Sequence, residues 1–301
     1  MLKIALPNKG RLADETRELF DDAGLDVRAR GERALTASLG GEFEGLFVRA
    51  QDIPEFVADG AADAGVTGWD LVCESQRALD PLIDLEFGHC RLVLAGRDGA
   101  GVGSLDEIRG TPRVATVFPH VTREFFERRG RAVEIVPMSG SAEIAPHIGI
   151  ADLIVDLTST GSTLRVNGLV EMATLLESTA RLVATPGLLG AGDPARPAPA
   201  RDRPARDKAR ALEELVAALS SVLRARGKRY VMANVPRASL ESIRSVLPGL
   251  NGPTVVDILD GNTMVAVHAV VESSAIYRTI ADLKALGAQG ILVTRIERLM
   301  P

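Results

Sequence analysis

Cysteine is nearly missing from this chain: Cys73 and Cys90 are the only two in 301 residues. Neither sits in a CxxC or Cys/His cluster, which excludes a disulfide framework and a zinc ribbon and leaves buried thiols as the plain reading. Histidine is scarce too, and His89, His120, His147 and His268 lie too far apart to read a zinc spacing or a catalytic dyad. Long apolar runs are missing. The start, MLKIALPNKG, has only a short one before Pro7, so no secretory leader is read and no segment is long enough to span a bilayer. A cytoplasmic protein without a membrane partner is expected. An excess of one charge sign is also missing, with 35 Lys and Arg against 40 Asp and Glu. No nucleic-acid partner is therefore expected, although a local anion site remains open. GxSxG, Walker A and GxGxxG signatures are absent. Aromatic residues make up 4%, and for Trp69, the single tryptophan, cleft wall and core filler are both open.

What is present is ordinary globular material, 46% hydrophobic, in a chain long enough for two or three domains. Short apolar runs alternate with helical patterns. Lys3 to Leu6 reads as a strand and Leu12 to Ala23 as a helix stopped by Gly24. Further buried strands are read at Gly65 to Thr67, Leu92 to Ala95, Val114 to Thr116, Val133 to Pro137 and Leu153 to Leu157. This alternation predicts parallel α/β layers, wound as two sheets. One internal echo fits two lobes. GAADAGVTG from Gly60 and GIADLIVDLTSTG from Gly149 both run from Ala-Asp through a short strand into Thr and Gly. Chance similarity of two strand-to-helix turns is the competing explanation.

The Pro- and Arg-rich stretch Ala191 to Arg210 has nothing with which to build a core and reads as a solvated loop. After it, Leu212, Leu215, Val216, Leu219, Val222 and Leu223 share one helix face, closed by Arg224, Arg226 and Gly227. The last 75 or so residues read βαββαβ, with strands from Arg229, Thr254, Met264 and Gly290, helices from Ser239 and Ser274, and a turn at Asp260-Gly261-Asn262. That order is a split βαβ sandwich.

The stretch with most chemistry in it is Asp152 to Leu164: an apolar strand, Asp156, then Thr158, Ser159, Thr160, Gly161, Ser162 and Thr163 before a helical segment. Successive amides at a helix start, hydroxyl donors and a glycine that admits close approach suit a phosphate group, while a ligand-free Thr/Ser cap is the alternative. Asp156 suits ribose hydroxyls or a hydrated Mg²⁺. Asn8-Lys9-Gly10-Arg11 puts two cations in a similar turn, where phosphate binding and simple solvation are equally open. Glu143, after Ser139-Gly140-Ser141, is either a helix N-terminal carboxylate or a ribose ligand.

Together, ALPNKGRL, GVTGWDLVCES, ATVFPHVTREFFERRG, MSGSAEIAPHIGIADLIVDLTSTGSTLRVNGL and LESTARLVA resemble ATP phosphoribosyltransferase, the first enzyme of histidine biosynthesis. GKRYVMANVP, LPGLNGPT, VAVHAVV and LKALGAQGILVTRIERLM resemble the C-terminal regulatory domain of its long form. The resemblance implies an α/β fold with two periplasmic-binding-protein-like lobes of type II. Catalytic domain I would span 1–92 and 182–226, domain II 93–181, and a ferredoxin-like, ACT-like βαββαβ domain 227–301. It implies that N1 of ATP is joined to C1 of the ribose of phosphoribosyl pyrophosphate, releasing pyrophosphate with Mg²⁺ held mainly through substrate. Adenine N1 carries a free lone pair at neutral pH, so no catalytic side chain is expected and the work is positional and electrostatic.

Carried over by position, Thr158 to Thr163 would hold the 5-phosphate, with Asp156 and Glu143 on the ribose. Lys9, Arg11 and Asp70 would face pyrophosphate or ATP. Feedback histidine would meet Asn234, Leu250, Thr254 and Ala288. Asn234 departs from the acid that some members carry there, and His120 stands where Asn is expected. The family implies dimers and hexamers. A secreted receptor on the same lobes would carry a leader, and a phosphoribosyltransferase with another acceptor would not match into the C-terminal domain.

Overall fold

The computed structural model describes residues 1–29, 31, 34–99, 104–189, 203–258 and 263–300. They fall into two compact units, Met1–Val216 and Ala217–Pro301. The first unit holds two sheets. One is formed by β1 (Leu2–Pro7), β2 (Val27–Ala29), β3 (Thr36–Leu39), β4 (Phe43–Val48), β5 (Ala64–Gly68), β6 (Asp80–Asp84) and β12 (Ala180–Ala184), in the order β2-β3-β4-β1-β5-β12-β6. The other is formed by β7 (Cys90–Arg97), β8 (Arg113–Thr116), β9 (Glu134–Pro137), β10 (Leu153–Thr158) and β11 (Leu169–Ser178), in the order β11-β7-β10-β8-β9. Each strand predicted in this half is found, with ends shifted by a residue or two.

The sheets are mixed, which corrects the expectation of parallel layers. In the first lobe β1, β4 and β5 run parallel, but β12 lies antiparallel between β5 and β6. In the second, β8, β9 and β10 run parallel, but β7 lies antiparallel between β10 and β11. Besides β3, which runs antiparallel to β2 and β4 in the first lobe, these exceptions are strands that have just crossed from the other lobe, and without a preceding crossover helix a strand has no reason to enter parallel. Counting the three parallel strands in chain order as 1 to 3, both lobes share one order: 2-1-3, the returning strand, then an outer strand. The echoed segments are the third strand of each lobe, β5 and β10, so the repeat in sequence is a repeat in topology.

Helices cover the sheets where apolar spacing demands it. In α1 (Arg11–Asp22), Ala13, Thr16, Leu19 and Phe20 are buried on one face. The first-lobe core includes Ala5, Ile53, Val57 and Ala62, with α2 (Ile53–Ala58) on the sheet. The second lobe packs α4 (Pro119–Glu127) through Val121, Phe125 and Phe126 against Leu92, Leu94, Val114 and Val155. Burying such side chains is worth about 1.5–3 kcal/mol each. Between the lobes the chain crosses twice, at 85–89 and at Thr179. The crossings are hydrogen-bonded side by side, Leu85 N–H to Ala180 O and Ala180 N–H to Phe87 O, each at 2.9 Å.

Part of the stretch read as a loop is helical. Helix α6 (Arg203–Ala225) begins well before Arg210, because alanine and arginine are strong helix formers and Ala209, Leu212, Leu215 and Leu219 give it a buried face. The rest of that stretch, 191–202, lies outside the described residues, as does the turn predicted at 260–262.

In the second unit, β13 (Lys228–Pro236), α7 (Leu240–Val246), β14 (Thr254–Asp257), β15 (Met264–Glu272), α8 (Ile276–Ala285) and β16 (Gln289–Arg295) follow the predicted order. The sheet runs β14-β15-β13-β16, every neighbour antiparallel. Val231, Ala233 and Val235 point into a core with Ile243, Leu247, Val267 and Leu283. Alternation then sends Asn234 to the opposite face. No helix among the described residues is long and apolar enough to cross a membrane.

Candidate functional site

The hydroxyl-rich bend follows β10 and opens α5 (Ser162–Val166). Gly161, at φ 71°, is the residue before the helix, a left-handed conformation that favours glycine. A Cβ there would lie 2.8 Å from Glu171 Oε1, so a side chain would also have to displace the Glu171 carboxylate. Thr158 is buried and its hydroxyl accepts from Gly161 N–H at 2.8 Å, closing the turn. Thr160 Oγ1 accepts from Ser162 N–H at 3.4 Å. Among the described residues the amides of Ser159, Thr160 and Thr163 find no partner. These three donors at a bend are what an anion receptacle needs.

The bend is braced from behind. Arg91 pairs with Glu171 in a two-pronged contact at 2.8 and 3.1 Å, and Arg165 donates to Thr160 O at 3.2 Å. Ser159 donates to His89 O at 3.3 Å, tying the bend to the first crossing. Ser159 also lines a hollow of about 380 Å³, whose wall carries His89, Arg91, Thr179 and Arg181. Sequence reading missed Arg91, Glu171 and Arg181, since no local pattern sets them beside the bend.

A second opening, about 580 Å³, lies between the lobes. Gln51 and Glu55 of the first lobe face Ser139, Gly140, Ser141 and Asp156 of the second. Asp156 is half-buried; burial pushes its carboxyl up, and the negative charge of Glu143 adds to this. The two carboxylates assigned to one sugar therefore feel each other. Glu143 lies in a single 3-10 turn, Ala142–Ile144, after Ser141 at φ 50°.

The other predicted residues are placed differently. Lys9 and Arg11 are exposed beside Gly10, and Arg11 pairs with Glu15 at 2.9 Å. Asp70, on α3 (Trp69–Ser75), is only 4% exposed and is bound by Ser178. The Trp69 ring lies under the Arg181 guanidinium at 4.5 Å. In the C-terminal unit, Asn234 and Ala288 are half-buried, while Thr254 and Leu250 are exposed. Among the described residues no cluster of three or more His, Cys, Asp or Glu side chains is arranged for a metal ion.

A family model described as ATP phosphoribosyltransferase matches residues 49–192, and one described as the HisG C-terminal domain matches 225–298. An ATP phosphoribosyltransferase from Gemmatimonas aurantiaca is 64% identical, with both chains fully covered. One from Methanocaldococcus jannaschii is 43% identical, again with both chains fully covered. The chain belongs to the ATP phosphoribosyltransferase family. A solved ATP phosphoribosyltransferase (HisG:HisZ) complex from Thermotoga maritima aligns with TM-score 0.59 and 31% identity, over 73% of this chain and 99% of that one. Family membership makes the protein a pentosyltransferase. It is the long form, since the match continues through the βαββαβ unit.

Proposed function

We propose that the two-lobed unit joins N1 of ATP to C1 of phosphoribosyl pyrophosphate, the first step of histidine biosynthesis, with the bend from Thr158 to Thr163 as the 5-phosphate receptacle. The unpartnered amides of Ser159, Thr160 and Thr163 carry this reading. A dianionic phosphate supplies the acceptors they lack, and charge-assisted bonds of this type are about twice as strong as neutral ones. Asp156 and Glu143 accept from the ribose hydroxyls. Because they feel each other, neutralising one by hydrogen bonding eases the other.

The reaction requires no base to activate the nucleophile. Adenine N1 attacks with its own lone pair as the C1–O bond to pyrophosphate breaks. The electron pair leaves with pyrophosphate, and the developing positive charge on the ribose faces Asp156 and Glu143. The protein's part is alignment and electrostatic stabilisation. Lys9 and Arg11 are assigned to the pyrophosphate or ATP side; Asp70, expected there too, is buried and held by Ser178 and is left out of it. Mg²⁺, when bound to the substrate diphosphate, neutralises the departing charge. The pair of hard oxygen donors at Asp156 and Glu143 fits a hydrated ion held chiefly by substrate.

The C-terminal unit is assigned to feedback by histidine through Asn234, Leu250, Thr254 and Ala288, acting by unequal affinity for two assemblies, dimer and hexamer. Incubation with ATP, phosphoribosyl pyrophosphate, Mg²⁺ and pyrophosphatase should yield phosphoribosyl-ATP absorbance that histidine suppresses. No absorbance change would refute the catalytic reading, and insensitivity to histidine the regulatory one.

A further inference from the structure

Helix α4 lacks a cap of its own. Its N-cap residue is Phe118, which has no side-chain acceptor, and Pro119 has no N–H to offer. The donors that remain in the first turn are the amides of His120, Val121 and Thr122. Thr122 N–H reaches Phe118 O at 3.1 Å. The other two are taken by a carboxylate from the other lobe. Glu74, on α3, accepts from His120 N–H at 3.0 and 3.1 Å through its two oxygens, and from Val121 N–H at 3.1 Å. A cap displaced by more than 40 positions in sequence is invisible to any local motif. The missing Ser, Thr, Asp or Asn before Pro119 is its only trace in the sequence.

The same helix carries an apolar contact in the same direction. α3 follows β5 of the first-lobe sheet, yet its Leu71 and Cys73 pack against the second-lobe core that contains Phe118, Val121 and Phe125. The joint is therefore both greasy and charged. Its charged part is directional, because a carboxylate can serve two adjacent amides only from one place on the helix axis. Leu71, Glu74 and Phe118 also line the interlobe opening, so the joint forms the end wall of the cleft in which the two substrates must meet.

We propose that Glu74 is a positioning residue for the transferase reaction: by capping α4 it sets the angle between the lobes at which the two substrates meet. This rests on the reading of the interlobe opening as the catalytic cleft. The 5-phosphate bend and the two ribose carboxylates lie wholly within the second lobe, so binding of ribose 5-phosphate alone, which lacks the pyrophosphate, is indifferent to lobe angle. Transfer is not, since N1 must come within bonding reach of C1, and a 1 Å misplacement can cost about a hundredfold in rate.

The test uses Glu74→Ala and Glu74→Gln in this chain, with steady-state kinetics, calorimetric binding of ribose 5-phosphate without ATP, and hydrogen exchange of a peptide covering 118–123. For Glu74→Ala, kcat should fall at least tenfold, the binary affinity should stay within twofold, and the His120 and Val121 amides should exchange at least tenfold faster. Glu74→Gln keeps one acceptor at full reach and should recover most of kcat. Should Glu74→Ala not fold, Glu74→Asp replaces it. It keeps the charge but shortens the reach by one methylene, and kcat should fall while the fold persists. Unchanged kcat with faster exchange would reduce Glu74 to a local cap and overturn the proposal. Parallel loss of binary affinity would overturn it as well, by showing damage to the second lobe. Neither result touches the phosphate-receptacle reading, which stands or falls on variants of the bend.

Discussion

Ser178 holds Asp70 by two hydrogen bonds: its hydroxyl donates to Oδ1 at 2.5 Å and accepts from the Asp70 amide at 3.0 Å. One residue earlier, Trp69 N–H donates to Thr179 O at 2.9 Å. The turn after β5 thus has its amides satisfied by the second crossing. The topologically equivalent turn after β10 leaves Ser159 and Thr160 open. One repeated strand-to-helix turn has become a joint in the first lobe and an anion receptacle in the second.

Ser178→Ala should destabilise the protein by about 1–3 kcal/mol, since it strands a buried carboxylate oxygen and a buried amide together. Asp70→Asn keeps an acceptor for the hydroxyl and should cost little at neutral pH. Burial pushes the Asp70 carboxyl up, opposed by the Ser178 and backbone bonds. A raised carboxyl stabilises the fold while protonated, and that contribution is lost as pH climbs from the ordinary carboxylate range through the folded value. Thermal melts across that range should show a decline in the wild type that is smaller in Asp70→Asn. Identical pH profiles would contradict the account.

Gly161→Ala combined with Thr160→Val should raise KM for phosphoribosyl pyrophosphate at least tenfold. A left-handed φ and a clash with Glu171 reshape the bend, and the loss of a hydroxyl weakens what remains. KM for ATP should move much less. Normal kinetics for phosphoribosyl pyrophosphate would remove the 5-phosphate from this bend.

Asp156→Asn separates binding from folding. The half-buried carboxylate, raised by burial and by Glu143, costs stability wherever it is ionised, so the amide should melt higher at neutral pH and lose that advantage in acid. The same change should raise KM for phosphoribosyl pyrophosphate several-fold. A variant that is less stable at neutral pH, or kinetically normal, would refute one half of the argument or the other.

Asn234→Ala should raise the histidine concentration for half-inhibition about tenfold, the effect of losing one or two hydrogen bonds of about 1 kcal/mol each. Turnover without histidine should be unchanged. Undiminished inhibition would exclude Asn234 from the effector site.

Burial, and after it the charges of Asp70 and Glu124, push the Cys73 thiol up to about 11. Only the thiolate reacts, so iodoacetamide at pH 8 should label Cys73 about two orders of magnitude more slowly than an unstructured cysteine. Labelling at the free-thiol rate would show that α3 is not packed on the second lobe as described.

The order of strands and helices, the βαββαβ unit and the phosphate bend were legible in the linear chain. Hydrophobic period, glycine placement and hydroxyl clustering act over a few residues, and the echo between GAADAGVTG and GIADLIVDLTSTG marks the third strand of both lobes. Strand direction was not legible where β7 and β12 enter their sheets, because a chain crossing from another lobe carries no crossover helix to impose one. Nor could the sequence show that Asp70 is closed off by Ser178, that Arg91 and Glu171 brace the bend, or that Glu74 caps α4. Each of these pairs joins residues tens of positions apart. Local interactions decide which elements form, and only packing of the finished lobes decides which amides and carboxylates stay open to a ligand.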